Sequence, residues 1–114
     1  MSRTDIQRLD DILEAADAIG SHLSRGALED GLVFDAVCMR LIQIGEAAKW
    51  LTPETTAREP GVPWRQVAGM RDRLAHRYHD ALTVLVQATV DDELPVLRAA
   101  TARLRAGLAG AAPS

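Results

Sequence analysis

Residues 32–51 read LVFDAVCMRLIQIGEAAKWL and carry the clearest helical pattern in the chain. Apolar side chains return at intervals of three and four residues, which places them on one face of an α-helix: Val33, Val37, Leu41, Ile44, Ala48 and Leu51. No segment shows the apolar–polar alternation that is typical of a half-buried strand. The pattern therefore predicts a helical protein with this stretch, from about Leu32 to Leu51, at its core.

The segments on either side of this stretch also carry helix signals. Upstream, Thr4 and Gln7 fit a capping box at the start of a first helix, and Gly26 offers a stop for it. Downstream, Thr52-Pro53 predicts the cap and first turn of a short third helix. Together with residues 32–51, these signals place three helices in the first half of the chain.

The second half predicts two longer helical regions. One begins at Pro63 and continues through Tyr78, with its apolar residues on a single face. Asp80 can cap a last helical region, which the internal Pro95 should kink or divide. We predict an all-α fold, a four- to five-helix antiparallel up-and-down bundle formed by a single domain over residues 1–110, with a frayed tail at 111–114.

Composition narrows the classes of function. The 114 residues carry a net charge of −3, which argues against broad, non-specific binding to nucleic acid. Cys38 is the single cysteine, so an internal disulfide is excluded, and no apolar run is long enough to cross a membrane. We therefore expect a cytoplasmic protein without membrane contact, in which Cys38 is a buried thiol.

A basic segment stands out against this acidic background. Residues 63–79 contain four arginines and one aspartate, and within them residues 70–78, MRDRLAHRY, spell Arg-x4-His-x-Tyr. On a continuous helix Arg71 falls in the apolar arc, whereas His76 points about 140° away and shares its side with Asp72. Either Arg71 bends around a groove to reach the substrate of His76, or two copies of the helix meet across a two-fold axis. A compact basic patch of this kind indicates a selective anion site.

Simpler interpretations of the same residues remain open. Arg71 can pair with Glu46, His76 can be an ordinary surface histidine, and Tyr78 can be a core residue with a solvated hydroxyl. A metal site is a further alternative, which the neighbouring arginines disfavour; its ligands would be Asp72, His76 and either His79 or Asp80.

Four blocks of the sequence resemble the HEPN superfamily, and specifically its minimal HepT-like toxins. They are residues 44–49 (IGEAAK), 62–65 (VPWR), 69–78 (GMRDRLAHRY) and 91–95 (DDELP). The resemblance implies a helical bundle that forms a homodimer and joins two Arg-x4-His motifs into one site for metal-independent RNA cleavage. No cofactor is implied. Asp72 stands where the family often has asparagine.

The resemblance also assigns roles to single residues. Arg71, Asp72 and His76 match the catalytic motif, and Tyr78 matches the tyrosine to which a minimal nucleotidyltransferase antitoxin attaches AMP. The implied function is that of the toxin in a type VII-like toxin–antitoxin module. The alternative from a different class is a catalytically inactive dimeric scaffold that binds a nucleotidyltransferase, for which the acidic first helix offers a contact surface.

General chemistry suggests how such residues cut RNA. The 2′-hydroxyl attacks the adjacent phosphate, which requires a base, an acid for the leaving oxygen and positive charge on the phosphorane. Two His76 side chains would divide the acid and base roles, and Arg71 would bind the phosphate. Arg73 and Arg77 would hold flanking phosphates, and the products would carry 2′,3′-cyclic phosphates.

Overall fold

A computed structural model describes residues 3–75 and 79–111 of the chain, without the side chains of 79, 80 and 111. Its elements are α1 (Asp5–Arg25), α2 (Gly31–Lys49), α3 (Pro53–Thr56), α4 (Trp64–Ala68), α5 (Met70–Ala75), α6 (His79–Ala88), a π-helical turn (Thr89–Glu93) and α7 (Leu94–Ala111). Within the described residues there is no strand, so the predicted all-α fold is confirmed.

Helix α1 begins and ends where the sequence predicted. The Gln7 backbone amide donates to Thr4 Oγ1 at 3.1 Å, and the Thr4 amide donates to Gln7 Oε1 at 2.9 Å. This is the complete capping box, and it satisfies two backbone donors that a helix start leaves free. Gly26 is the residue that caps the other end of the helix.

Helix α2 packs antiparallel to α1 and forms the centre of the core. The Asp30 side chain caps its start by accepting a hydrogen bond from the Leu32 amide at 2.9 Å. Every residue of its predicted apolar stripe is buried. Its far end returns to the start of α1, since the carboxylate of Asp5 accepts hydrogen bonds from the amide and hydroxyl of Thr52 and the hydroxyl of Thr55.

The segment that carries the basic motif is broken where the sequence predicted a continuous helix. Helix α4 ends at Ala68, Gly69 caps it in a turn, and α5 starts again at Met70. The prediction of one uninterrupted helix from Pro63 is therefore wrong at Gly69, because glycine is a poor helix former and this one takes a turn conformation. Val67, Met70 and Leu74 are nevertheless all buried.

The break depends on a close contact with α2. A Cβ added at Gly45 would lie 2.8 Å from Met70 Cβ and 2.8 Å from the Val67 carbonyl oxygen. Only glycine lets the backbones of α2 and the α4–α5 segment approach to this distance. Gly45 thus fixes where the basic motif sits on the core.

Helix α7 completes the bundle. Arg98 pairs with Asp17 at 2.8 Å and Arg105 pairs with Asp10 at 2.7 Å, so α7 runs antiparallel to α1. Pro95 interrupts the regular helix as predicted: a π-helical turn precedes it, in which the Leu94 amide donates to the Thr89 carbonyl. Of the other predictions, the capping role of the Asp80 side chain, the fate of 112–114 and the structure of 76–78 lie outside the described residues.

Candidate functional site

Helix α5 positions the described part of the Arg-x4-His motif. Met70 and Leu74 point into the core, with exposed fractions of 2% and 7%, so the residues between them face outward. Arg71 and Asp72 are exposed and Arg73 is half-buried. The expectation that Arg71 lies in the apolar arc is wrong, since its side chain is 63% exposed.

Arg71 is held in place by Glu46 of α2. Its Nε donates to Glu46 Oε1 at 3.2 Å, which confirms the pairing that the sequence left as one alternative. With the described residues, this guanidinium makes no other hydrogen bond. Glu46 therefore fixes the Nε edge of Arg71 and leaves the two terminal nitrogens available for an anion.

Arg73 has a different environment, only two residues further on. Its Nη1 and Nη2 donate to the two carboxylate oxygens of Glu93 at 3.2 and 2.9 Å, a bidentate pair. The Arg73 side chain is 23% exposed. The Thr89 hydroxyl, which donates to the Leu85 carbonyl at 2.7 Å, lies 3.3 Å from Glu93 Oε2. A flanking phosphate would have to replace Glu93 on Arg73. The predicted phosphate contact of Arg73 stays a prediction, and this geometry favours a structural role.

Glu93 is a residue of the candidate site that the sequence motifs did not identify. It lies on the π-helical turn before Pro95 and joins that turn to α5 across 20 positions of sequence. The available signal was its place in the block 91–95, which resembles the HEPN superfamily. Nothing in its local pattern indicated which arginine it would meet.

The remaining motif residues lie outside the described residues: His76, Arg77 and Tyr78. Their predicted roles, and the pairing of Asp72 with His76, stay predictions. Among the described side chains there is no group of three or more metal-ligating residues. The alternative metal site also involves His76, His79 and Asp80, so it stays untested.

A groove of about 550 Å³ opens beside Arg71, between the outer faces of α1 and α2. Arg71 and Glu46 line one part of it, and the exposed side chains of Met39 and Trp50 line others. A second, smaller cavity of about 200 Å³ lies between α2, α4 and the start of α7 and is almost wholly apolar. Of these two, only the first is lined by arginines, the cationic groups that a polyanion requires; the charged residues that line the second are Asp92 and Glu93.

Two other candidate features can be assigned structural roles. Burial raises the pKa of the half-buried Cys38 thiol, and the nearby Asp35 carboxylate raises it further, so this cysteine is a poor nucleophile. The acidic residues of α1 are largely paired within the chain: Asp10 with Arg105, Asp11 with Arg3, and Asp17 with Arg98. The acidic face that a scaffold would offer to a partner is therefore mostly neutralised. Among the described helices, none is long and apolar enough to cross a membrane.

Comparison with known proteins gives a consistent result. The family described as “Ribonuclease HepT-like” matches residues 9–104. The “Probable ribonuclease HepT” of Thermococcus cleftensis is 33% identical over 109 residues, covering 92% of this chain and 99% of that protein. Two proteins of Methanocaldococcus jannaschii, “Putative RNase MJ1380” and “Putative RNase MJ1216”, are 27% and 30% identical over 103 residues. Each covers 86% of this chain, and the match spans 94% and 85% of their own lengths.

No solved structure matches the chain. The family match spans most of the sequence, and it contains both the α2 block around Glu46 and the α5 block around Arg71. On these findings, the chain belongs to the HepT-like ribonuclease family.

Proposed function

We propose that this protein is a metal-independent endoribonuclease, the toxin of a two-gene toxin–antitoxin module that acts in the cytoplasm. The observation that carries the proposal is the state of Arg71: an exposed guanidinium, oriented through Nε by Glu46, with its terminal nitrogens free of described partners. Membership of a ribonuclease family supports RNA as the substrate. A planar guanidinium fork matches the two oxygens of a phosphodiester.

In the proposed reaction the protein contributes charge and proton transfer. The RNA 2′-hydroxyl attacks the adjacent phosphorus, the bond to the 5′-oxygen breaks, and a 2′,3′-cyclic phosphate remains. One His76 of a homodimer takes the 2′-hydroxyl proton and the other gives a proton to the leaving 5′-oxygen. Arg71 stabilises the charge on the phosphorane, and Asp72 orients His76. No metal ion enters this scheme.

Cleavage of RNA in EDTA by the purified chain, free of any antitoxin, tests the proposal. We expect ends with 2′,3′-cyclic phosphates, and we expect Arg71→Ala and His76→Ala each to lower the cleavage rate by about 10²-fold or more. The controls are Arg65→Ala, at an exposed position of α4, and His22→Ala, in the last turn of α1. Both variants should cleave RNA at the wild-type rate. If Arg71→Ala or His76→Ala cleaves at the wild-type rate, that residue has no catalytic role.

Regulation is the second part of the proposal. A minimal nucleotidyltransferase would transfer AMP from ATP to the Tyr78 hydroxyl, releasing pyrophosphate. The bulky anionic group, two residues from His76, would block the site and repel RNA. Co-expression with a nucleotidyltransferase encoded beside this gene should add the mass of AMP to the wild type but not to Tyr78→Phe. Modification of the Tyr78→Phe variant to the same extent would exclude this tyrosine.

A further inference from the structure

The groove beside Arg71 is continuous with the proposed catalytic surface. Arg71 and Glu46 line it, and from Glu46 it extends one helical turn further, about 6 Å along the axis of α2, to Trp50 at the C-terminal cap of that helix. Any polymer whose phosphate is bound by the free nitrogens of Arg71 therefore passes close to this groove. The groove volume of about 550 Å³ is large enough for a nucleotide-sized group.

The charges of the groove favour an anion over a neutral partner. Its lining contains three carboxylates and four arginines, and the arginines are Arg3, Arg8, Arg40 and Arg71. Two of the carboxylates belong to ion pairs at the surface, Asp11 with Arg3 and Glu46 with Arg71. Surface pairs of this kind are weak, so a phosphate can take the place of Asp11 on Arg3 at little cost, while the terminal nitrogens of Arg71 are available without displacing Glu46. The chain as a whole is acidic, which makes this excess of arginine local.

Arg8 adds an observation that the other arginines do not. Its Nε is buried, and within the described part of the chain it has no hydrogen-bond partner. A buried donor without a partner costs free energy, and a small rotation of the Arg8 side chain toward the groove would let a phosphate oxygen or a water satisfy it. Arg8 therefore lines the groove with a donor nitrogen that no described residue satisfies.

Trp50 is the most unusual side chain on this surface. It is 60% exposed, whereas Phe34 is buried and Trp64 is half-buried with its indole nitrogen donating to the Glu59 carbonyl at 3.0 Å. The Lys49 ammonium lies 5.5 Å from the centre of the Trp50 ring. An exposed aromatic ring beside cationic side chains is the usual arrangement where single-stranded nucleic acid binds, because bases stack on the ring.

We infer that the groove between α1 and α2 is a subsite for single-stranded RNA, in which Trp50 stacks on a base next to the cleaved phosphodiester and the groove arginines bind flanking phosphates. The inference rests on the proposed ribonuclease function and adds a substrate feature to it: an unpaired base close to the cut. Met39, which is also exposed on the groove, supplies an adaptable apolar surface of the kind that tolerates different ligands. Double-stranded RNA, whose bases are already stacked, would not use this subsite.

A binding experiment with a non-cleavable ligand tests the subsite separately from catalysis. The ligand is a fluorescein-labelled 2′-O-methyl oligouridine, which lacks the attacking hydroxyl, and binding is followed by fluorescence anisotropy. Trp50→Ala should weaken binding roughly 5- to 150-fold, the range found when a stacking aromatic is removed. Trp50→Phe should retain most of the affinity. Leu32→Ala is the matched control, because Leu32 is an 83% exposed apolar residue on the same helix but outside the groove.

Tryptophan emission gives an independent readout. In a Trp64→Phe background, whose helicity is checked by circular dichroism, Trp50 is the only tryptophan. Its emission should be quenched by unlabelled 2′-O-methyl oligouridine and much less by an abasic oligomer of equal length. Quenching by both to the same extent would mean that no base stacks on Trp50.

The outcomes separate this inference from the proposed function. RNA cleavage by the wild type, together with unchanged ligand affinity of Trp50→Ala, would overturn the subsite and leave the nuclease intact. Trp50-dependent ligand binding without any cleavage would support the subsite and overturn the nuclease. If Trp50→Ala instead dissociates a dimer in sedimentation equilibrium without changing RNA affinity per subunit, the groove is a protein interface and the subsite is overturned.

Discussion

The α1–α2 hairpin and the described part of helix α5 are stabilised in different ways. The hairpin helices, Asp5–Arg25 and Gly31–Lys49, are long, capped by adjacent polar residues and buried along one stripe. Helix α5 begins directly after the turn at Gly69, and its described part runs from Met70 to Ala75. It is held by contacts with distant residues instead, namely Gly45, Glu46 and Glu93.

This difference has a consequence for function. The hairpin forms a platform whose shape follows from local sequence, whereas the position of Arg71 depends on three tertiary contacts. A substitution in any of them should move the arginine while leaving the hairpin folded. Substitutions at these contacts therefore separate the platform from the site.

The largest expected effect comes from adding a methyl group at Gly45, where α2 lies against the α4–α5 segment. Gly45→Ala places Cβ against Met70 Cβ and the Val67 carbonyl, so α4 and α5 must shift away from α2. Strain of this kind outweighs the gain in helix propensity, and we expect the free energy of unfolding to fall by about 2 kcal/mol. RNA cleavage should fall as well, because Arg71 moves relative to Glu46. Urea unfolding and the cleavage rate are the measurements.

The matched control, Gly20→Ala, should change the free energy of unfolding in the opposite direction. Gly20 lies within α1, and a Cβ there meets nothing within 4 Å. Gly20→Ala should therefore raise the free energy of unfolding by up to about 1 kcal/mol through helix propensity alone. If both substitutions shift stability in the same direction, the contact of α5 with α2 is not as close as described.

The next effect concerns the joint between α5 and the π-helical turn. Arg73→Ala and Glu93→Ala each leave a half-buried charge without its bidentate partner, and we expect each to lower stability by about 1–2 kcal/mol. A double-mutant cycle should give a coupling free energy of about 1 kcal/mol. The exposed pair Arg98–Asp17 is the comparison, with an expected coupling of a few tenths of a kcal/mol. Equal coupling in the two pairs would contradict the structural role of Arg73.

A smaller effect, confined to the hairpin, depends on pH. Partial burial acts to raise the pKa of Asp5, but hydrogen bonds from Thr52 and Thr55 outweigh it and hold the pKa below its usual value of 3.8. The stabilisation is therefore present above pH 3.8 and is lost as the pH falls through the lowered pKa. Asp5→Ala should cost about 1 kcal/mol at pH 7, with the difference from wild type shrinking in acid.

Asp5→Ala also tests the independence of the two regions. RNA cleavage at pH 7, measured well below the melting temperature, should be unchanged, since Asp5 contacts α3 and not α5. Glu29→Ala, at an exposed position just before α2, serves as the control for removing one negative charge. A pH-independent difference between Asp5→Ala and wild type would show that the carboxylate charge makes no contribution.

The contrast between local contacts in the hairpin and long-range contacts at α5 also explains how much of the fold could be predicted from sequence. The capping box at Thr4, the stop at Gly26, the buried stripe of α2 and the interruption near Pro95 all follow from residues that are close in sequence. Each is a local interaction with a recognisable pattern. These elements were predicted correctly, and they make up most of the fold.

The candidate site was harder to predict from sequence, because its geometry depends on contacts between residues that are far apart in the chain. The break at Gly69 was missed, since a single glycine in an apolar helical pattern is compatible with both a helix and a turn. The pair of Arg71 with Glu46 was one of several alternatives, and that of Arg73 with Glu93 was not foreseen. In sequence both Arg71 and Arg73 are candidate phosphate ligands. Only the packing of α5 shows that Arg71 is exposed and meets Glu46 through Nε alone, whereas both terminal nitrogens of Arg73 are bound by Glu93.

The smallest expected effect is at Glu46, and it separates orientation of Arg71 from charge. Glu46→Ala removes the acceptor that holds Arg71 Nε, so the guanidinium gains rotational freedom. An exposed contact of this kind contributes well under 1 kcal/mol, and we expect kcat for RNA cleavage to fall roughly two- to five-fold. Glu46→Gln retains an oxygen acceptor and should keep most of kcat, although it removes the same negative charge. If both variants instead bind RNA more tightly and cleave it faster, Glu46 competes with the phosphate for Arg71 and does not orient it.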